Sequence, residues 1–359
     1  MKLESPQALI ELVRQIVGPD YVISGNAALL DAEEHDRAGG RTDDRERAED
    51  IESALADSTV VALIALRGGA WFTRILPHID FSVLDRRSTR VAVFGFSEIT
   101  PLCNIVGAHR NGLGIYYMGP AFLPYGLRRY AATQRGLANG SHQAASLAGP
   151  LPHGRGTDRG SAEASPSPLS SGTEPATPEA WMQARLRDEF RAYFVEVISI
   201  LEGRRENIVL EARLVDGEMG ATTATFTGGN LTVLSPLIGS SFAQAIDPRG
   251  RWLLLEDFND KPERFDRFLS HLTLAGFWNR CAGLLLGDFH NDKRDLFDEV
   301  RALLKHHLPQ PRNIPVLAAP LVGHTWPMTP LPVHVAASVD RDRGDQYIIR
   351  WPGPVLKVV

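Results

Sequence analysis

The sequence predicts an α/β protein of two domains. Short continuous apolar runs, of strand length, alternate with helical patterns along the chain. The length of 359 residues exceeds what one small core organises. A long stretch poor in core-forming residues divides the chain in two. That stretch, 133–178, holds no aromatic residue and no Ile, Val or Met. It is mostly Gly, Ser, Ala, Pro and Thr, which bury too little apolar surface to offset their ordering entropy. It therefore reads as a flexible insertion. The expected organisation is an N-terminal domain over 1–130, a low-complexity insertion over 131–180 and a C-terminal domain over 181–359.

The elements follow in order. "PQALIELVRQIVG" predicts an opening helix and "DDRERAEDIESALAD" a charged one. "STVVALIALRGG" predicts a strand running into paired glycines, and "VAVFGF" a second strand. Strands apolar on both faces, alternating with helices, imply a parallel sheet covered on both sides. Sites in such sheets lie at the carboxyl ends of the strands, where the Gly68–Gly69 loop and Ser97 fall. In the second half, Met182, Leu186, Phe190, Phe194, Val197 and Leu201 recur at helical spacing, with Gly203 as the stop. "ENIVLEARL" predicts a strand and "TGGNLTVL" a turn. "RWLLLEDFND", "CAGLLLGDF" and "NIPVLAAPLVGHTW" read as strand-to-loop transitions, and "PVHVAASVDRDRGDQYIIRW" as a hairpin.

Composition excludes several classes. A net charge of −5 gives no basis for a nucleic-acid partner. No apolar run reaches the roughly 20 residues of a membrane span. The N-terminus lacks a signal-peptide core, so a cytoplasmic location is expected. The two cysteines, Cys103 and Cys281, form no CxxC pattern and read as small buried residues. No P-loop, dinucleotide fingerprint or metal-ligand spacing occurs, so no metal or cofactor is expected.

Serine chemistry needs a base to take the hydroxyl proton and an acid to orient the base. Ser97, Glu256 and His324 each follow an apolar strand-like run, in the order Ser, Glu, His seen in α/β-hydrolases. The G-x-S-x-G pattern fails at Ile99. On the residues alone, Ser97 is either a helix cap or a nucleophile on an elbow. Glu256 is either a strand-end ion-pair acid or the orienting acid, and His324 either a solvated loop residue or the base. An oxyanion needs backbone N–H groups at a tight turn. Gly69 in "RGG" and Glu98 after the serine offer them.

These segments together resemble the LD-carboxypeptidase family of serine peptidases, of the murein tetrapeptide carboxypeptidase and microcin-immunity types. "ALIALRGG", "VFGFSEITPL", "TGGNLTVLSPLIGS", "LLLEDFND" and "VGH" carry the resemblance, in the family's order and across both domains. It implies an N-terminal flavodoxin-like or glutamine-amidotransferase-like parallel-sheet domain, a C-terminal α/β domain, and an active site between them. It implies a triad of Ser97, Glu256 and His324, with no metal or cofactor. The implied reaction cuts the L,D-bond before the terminal D-alanine of a cytoplasmic murein tetrapeptide, in murein recycling, by a homodimer. Holding the free carboxylate of a peptide calls for a cation. Arg67 and Arg74 lie near the glycine loop and Lys261 and Arg264 near the acid, while Trp71 could shape the cleft.

The chain departs from the family pattern at four places. "RGGAW" stands for the usual "RGGYG", Glu98 for the usual Asp, and Met118 for a frequent His. A helix stands first where family chains begin with a strand. Two alternatives remain on these grounds: a microcin-immunity-type peptidase or amidase acting on peptidyl nucleotides, and a catalytically silent binding protein on the same fold.

Overall fold

The computed structural model describes residues 6–25, 43–138, 178–309 and 314–359. Most of the expected insertion therefore lies outside the described residues. Its first residues, up to Ala138, belong to a helix.

The opening segments form helices α1 (Pro6–Val17) and α2 (Asp43–Ala56), followed by strand β1 (Ala62–Ile64). A short helix α3 (Phe72–Ile75) leads towards β2 (Val91–Gly95), α4 (Thr100–Gly107) and β3 (Gly112–Tyr116). β1, β2 and β3 run parallel in that order, so the expected parallel sheet is present. β2 and β3 are buried along their whole length, which explains their unbroken apolar sequence. Helix α5 (Leu123–Ala138) closes this half and α6 (Pro178–Leu201) opens the next. The left-handed Gly203 stops α6 as its sequence position predicts, since glycine adopts φ 65 without steric cost.

The second half carries β4 (Asn207–Asp216), β5 (Thr223–Asn230), α7 (Leu231–Leu234), β6 (Trp252–Phe258) and α8 (Pro262–Leu274). Then come β7 (Gly283–His290), α9 (Phe297–His307), β8 (Val316–Ala318), β9 (Leu331–Val333), β10 (Ala336–Arg341) and β11 (Gln346–Pro352). Seven of these strands close a barrel in the order β10-β11-β4-β8-β7-β6-β5. β5 to β8 are parallel, and β10–β11 is the expected antiparallel hairpin.

Two expectations need correction. "TGG" is not a turn: it is the end of β5, paired with β6 through Asn230 and Glu256. The turn residues are absorbed because Asn104 clamps that backbone. Its Nδ2 donates to Gly228 O at 2.8 Å while its Oδ1 accepts from Gly228 N at 2.9 Å. The N-terminal sheet is also not built from N-terminal residues alone. β9, from the far end of the chain, pairs antiparallel with β3 and completes the order β1-β2-β3-β9. The two halves are thus joined by shared backbone pairing.

Candidate active site

Ser97 sits two residues past the end of β2, in a left-handed conformation with φ 55. A non-glycine residue there is strained by about 1–2 kcal/mol. The expected alternative, a helix cap, is not what its side chain does. The short 3-10 turn Ser97–Ile99 and helix α4 have no side-chain cap bond at their N-termini. The Ser97 hydroxyl instead lies 3.1 Å from Nε2 of His324.

His324 comes from the loop after β8. That loop is pinned where Asp288 N, in β7, donates to Val322 O at 2.7 Å. The Nδ1 atom of His324 lies 2.7 Å from Oε2 of Glu256. Glu256, on β6, is fully buried. A buried carboxylate needs partners for its remaining lone pairs. Tyr116 donates its hydroxyl to Oε1 at 2.6 Å, and Asn230 Nδ2 donates to the same oxygen at 3.2 Å. Gly323 is obligatory beside them: its φ is 114, and a Cβ there would stand 2.6 Å from Glu256 Oε2. The three residues that the sequence placed at strand ends thus meet in one hydrogen-bonded row.

The electrostatics favour a basic imidazole. Burial of His324 opposes protonation, but the charge and hydrogen bond of Glu256, with Asp257 and Asp288 behind, outweigh it and raise its pKa. Asp257 points away from the row and accepts from Thr232 N and Phe258 N at 2.8 and 2.7 Å. Burial, then the Glu256 charge, pushes its pKa up to about 7. Phe96, Phe122 and Phe258 surround the imidazole, with ring centroids at 4.8, 5.7 and 5.0 Å, and limit water access.

The glycine loop crosses over the serine. A Cβ on Gly68 would come 3.2 Å from Ser97 Cβ and 3.8 Å from Glu98 N. This brings the loop that contains Gly69 beside the Glu98 amide. The amide of Ser97 itself is already used, donating to Tyr116 Oη at 3.1 Å. The Glu98 side chain accepts from Phe72 N at 2.6 Å, which ties the start of α3 to the serine turn. Burial raises its pKa, against the opposing amides of Phe72 and Thr73.

The candidate cations separate. Arg74 is engaged with Asp44 and lies 6.0 Å from the Trp71 ring. Trp71 has φ 68 and is half-buried at the start of α3. Arg264 pairs with Asp260 at 3.0 Å. Arg67 is exposed beside Gly68.

Several contributors were not anticipated. Asn230 falls in the stretch read as a turn and Tyr116 in no element read from the sequence, and nothing local marks either as a partner of Glu256. Arg129, on α5, donates to Asp288 Oδ2 at 2.7 Å and to the carbonyl of His324 at 2.9 Å. His290 is buried at the end of β7, 2.7 Å from Asp288. Cys103 and Cys281 are both buried, and burial raises both thiols. Among the described residues no group of three or more metal-ligating side chains forms, and no helix is long and apolar enough to cross a membrane.

Residues 4–117 match the LD-carboxypeptidase N-terminal domain, and residues 223–339 match the LD-carboxypeptidase C-terminal domain. The chain belongs to the LD-carboxypeptidase family. As a member it is a serine-type hydrolase. It is 25% identical over 300 residues to a probable murein peptide carboxypeptidase of Bacillus subtilis, covering 83% of this chain and 74% of that one. It is 26% identical over 276 residues to a murein tetrapeptide carboxypeptidase of Pseudomonas aeruginosa, covering 74% and 71%. In fold it is similar to muramoyltetrapeptide carboxypeptidase from Oxalobacter formigenes, with a TM-score of 0.53, 20% identity, and 86% and 82% of the two chains covered. This LD-carboxypeptidase therefore keeps the family's α/β architecture, a parallel sheet followed by a separate C-terminal domain, despite its departures at Trp71, Glu98 and Met118.

Proposed function

We propose that this chain is a carboxypeptidase that cleaves the L,D-bond before the terminal D-alanine of murein tetrapeptides, using Ser97, His324 and Glu256. The observation that carries this reading is the continuous row from Ser97 Oγ through the two nitrogens of His324 to Glu256 Oε2, at 3.1 and 2.7 Å. The names of relatives supply the substrate class.

In this mechanism His324 Nε2 takes the Ser97 proton as Oγ attacks the peptide carbonyl carbon. Glu256 stays ionised and stabilises the imidazolium through Nδ1. The oxyanion takes N–H bonds from Glu98 and Gly69. His324 then returns its proton to the departing D-alanine amine, leaving an acyl-serine. A water molecule, deprotonated by His324, attacks the acyl carbon and releases the shortened peptide and Ser97. Arg67, exposed beside the glycine loop that crosses Ser97, is the cation for the free carboxylate; Arg74 is held by Asp44 and Arg264 by Asp260, while Lys261 stands exposed at the start of α8, on the acid's side. Trp71 lines the same cleft, between the parallel-sheet domain of residues 1–130 and the C-terminal domain of residues 181–359. A homodimer acting in cytoplasmic murein recycling is the setting this reading implies.

The test is incubation of purified protein with murein tetrapeptide and measurement of free D-alanine. Release that is lost in a folded Ser97→Ala variant supports the reading. Intact tetrapeptide, under conditions where another family member cleaves it, overturns it. Cleavage of a peptidyl nucleotide in its place would assign the microcin-immunity chemistry. No cleavage of either, with no labelling of Ser97 by a fluorophosphonate, would leave a binding protein.

A further inference from the structure

A groove of about 530 Å³ opens at the end of the molecule opposite Ser97. It lies at the N-terminal ends of the parallel strands, where Arg90 precedes β2, Arg110 precedes β3, and Arg249 and Arg251 precede β6. The imidazoles of His109 and His334 complete the lining, that of His334 neutral because burial, then the Arg251 charge, lowers its pKa to about 4, and no acidic residue lines it. The five-residue β2, about 16 Å long, separates it from the serine turn.

The lining cations differ in how they are compensated. His109 has Asp85 at 2.9 Å and Arg249 has Asp247 at 3.6 Å. The other three guanidiniums are held by backbone carbonyls. Arg90 donates to Val355 O, Lys357 O and Gly112 O at 3.0, 3.3 and 3.3 Å. Arg251 donates to Asp247 O at 2.9 Å, and Arg110 to Asp85 O at 3.3 Å. Carbonyls orient a guanidinium without neutralising it, and each fork keeps further donors. His334 adds a buried Nε2 that has no hydrogen-bond partner among the described residues. Its backbone is left-handed, with φ 60. Three oriented, unneutralised guanidiniums facing one cavity suit a multiply charged anion, and the planar fork matches phosphate oxygens. The volume exceeds that of a single phosphate and falls within the range of small-molecule sites.

We propose that this groove binds a small molecule carrying two linked phosphate groups, at a site separate from the Ser97 centre. Nothing in this assignment depends on the proposed peptide chemistry.

Calorimetric titration of the full chain with inorganic pyrophosphate, at constant ionic strength, tests it. One saturable site is expected. Arg251→Gln and Arg110→Gln should each weaken it about tenfold, the effect of losing one charge-assisted bond. Arg343→Gln, exposed and outside the groove, should leave it unchanged. Arg110 is itself exposed, so its variant keeps the test sound if Arg251→Gln fails to fold. Absence of saturable binding overturns the proposal. So does unchanged affinity in the groove variants, equal weakening in Arg343→Gln, or tighter binding of citrate than of pyrophosphate.

Discussion

The hydroxyl of Tyr116 donates to Glu256 Oε1 at 2.6 Å, and its own Oη accepts from the Ser97 amide at 3.1 Å. One phenol at the end of β3 therefore fixes both ends of the row that His324 bridges. Burial and the Glu256 charge hold its pKa well above the usual value, so it remains a donor. Tyr116→Phe removes a buried bond to a charge, about 1.5–3 kcal/mol. D-alanine release should fall about ten- to a hundredfold in kcat with little change in KM. An unchanged kcat would show that Tyr116 is only packing.

The left-handed turn makes a prediction that separates strain from chemistry. Ser97→Gly and Ser97→Ala should both lack activity. Ser97→Gly should unfold at higher denaturant, by about 1 kcal/mol, because glycine relieves φ 55 and alanine does not. Equal midpoints would mean that the turn is not strained.

His324 must be neutral to act as base, so kcat/KM should fall on acidification through a pKa above the ordinary 6.5. Asp257→Asn removes one of the charges that raise it, and should move this acid limb to lower pH. A limb that stays in place would exclude Asp257 from the field at His324.

Asp257 also affects stability. Its folded pKa of about 7 exceeds its ordinary 3.8, so the folded state binds the extra proton. Its stabilising contribution is full below about pH 4 and is lost as pH rises towards 7. Asp257→Asn should flatten that decline in urea midpoints measured between pH 4 and 7. A slope identical to that of the parent chain would show that Asp257 ionises normally.

Arg129 supports His324 from behind, through Asp288 and the His324 carbonyl. Arg129→Met leaves Asp288 buried without this partner and should cost about 3 kcal/mol. In the double variant with Asp288→Asn the two losses should be clearly less than additive, measured as a coupling energy in unfolding. Simple additivity would show that the pair acts independently.

Much of this was legible from local pattern. "VAVFGF", "WLLLEDF" and "CAGLLLGDF" are strands because burial on both faces writes an unbroken apolar run. Ser97, Glu256 and His324 could be picked out because each stands just beyond such a run. Other features left no local trace. "TGG" looks like a turn because glycines usually make one, yet Asn104 holds it in β5. Tyr116, Asn230 and Arg129 carry no motif, since their roles depend on partners more than 20 residues away in the chain.

The sequence by itself determined the apolar strands such as β2, β6 and β7, the longer helices and the order Ser97, Glu256, His324 at strand ends, because periodicity and turn chemistry act between near neighbours. Only the tertiary structure decided what those groups touch. β9 crosses back to β3, the barrel closes through β5 and β10, and Asn104 joins α4 to β5. Those pairings bring a serine from one half within 3.1 Å of a histidine 227 residues later. A distance of that kind is set by the packing of whole sheets, and no short stretch of sequence encodes it.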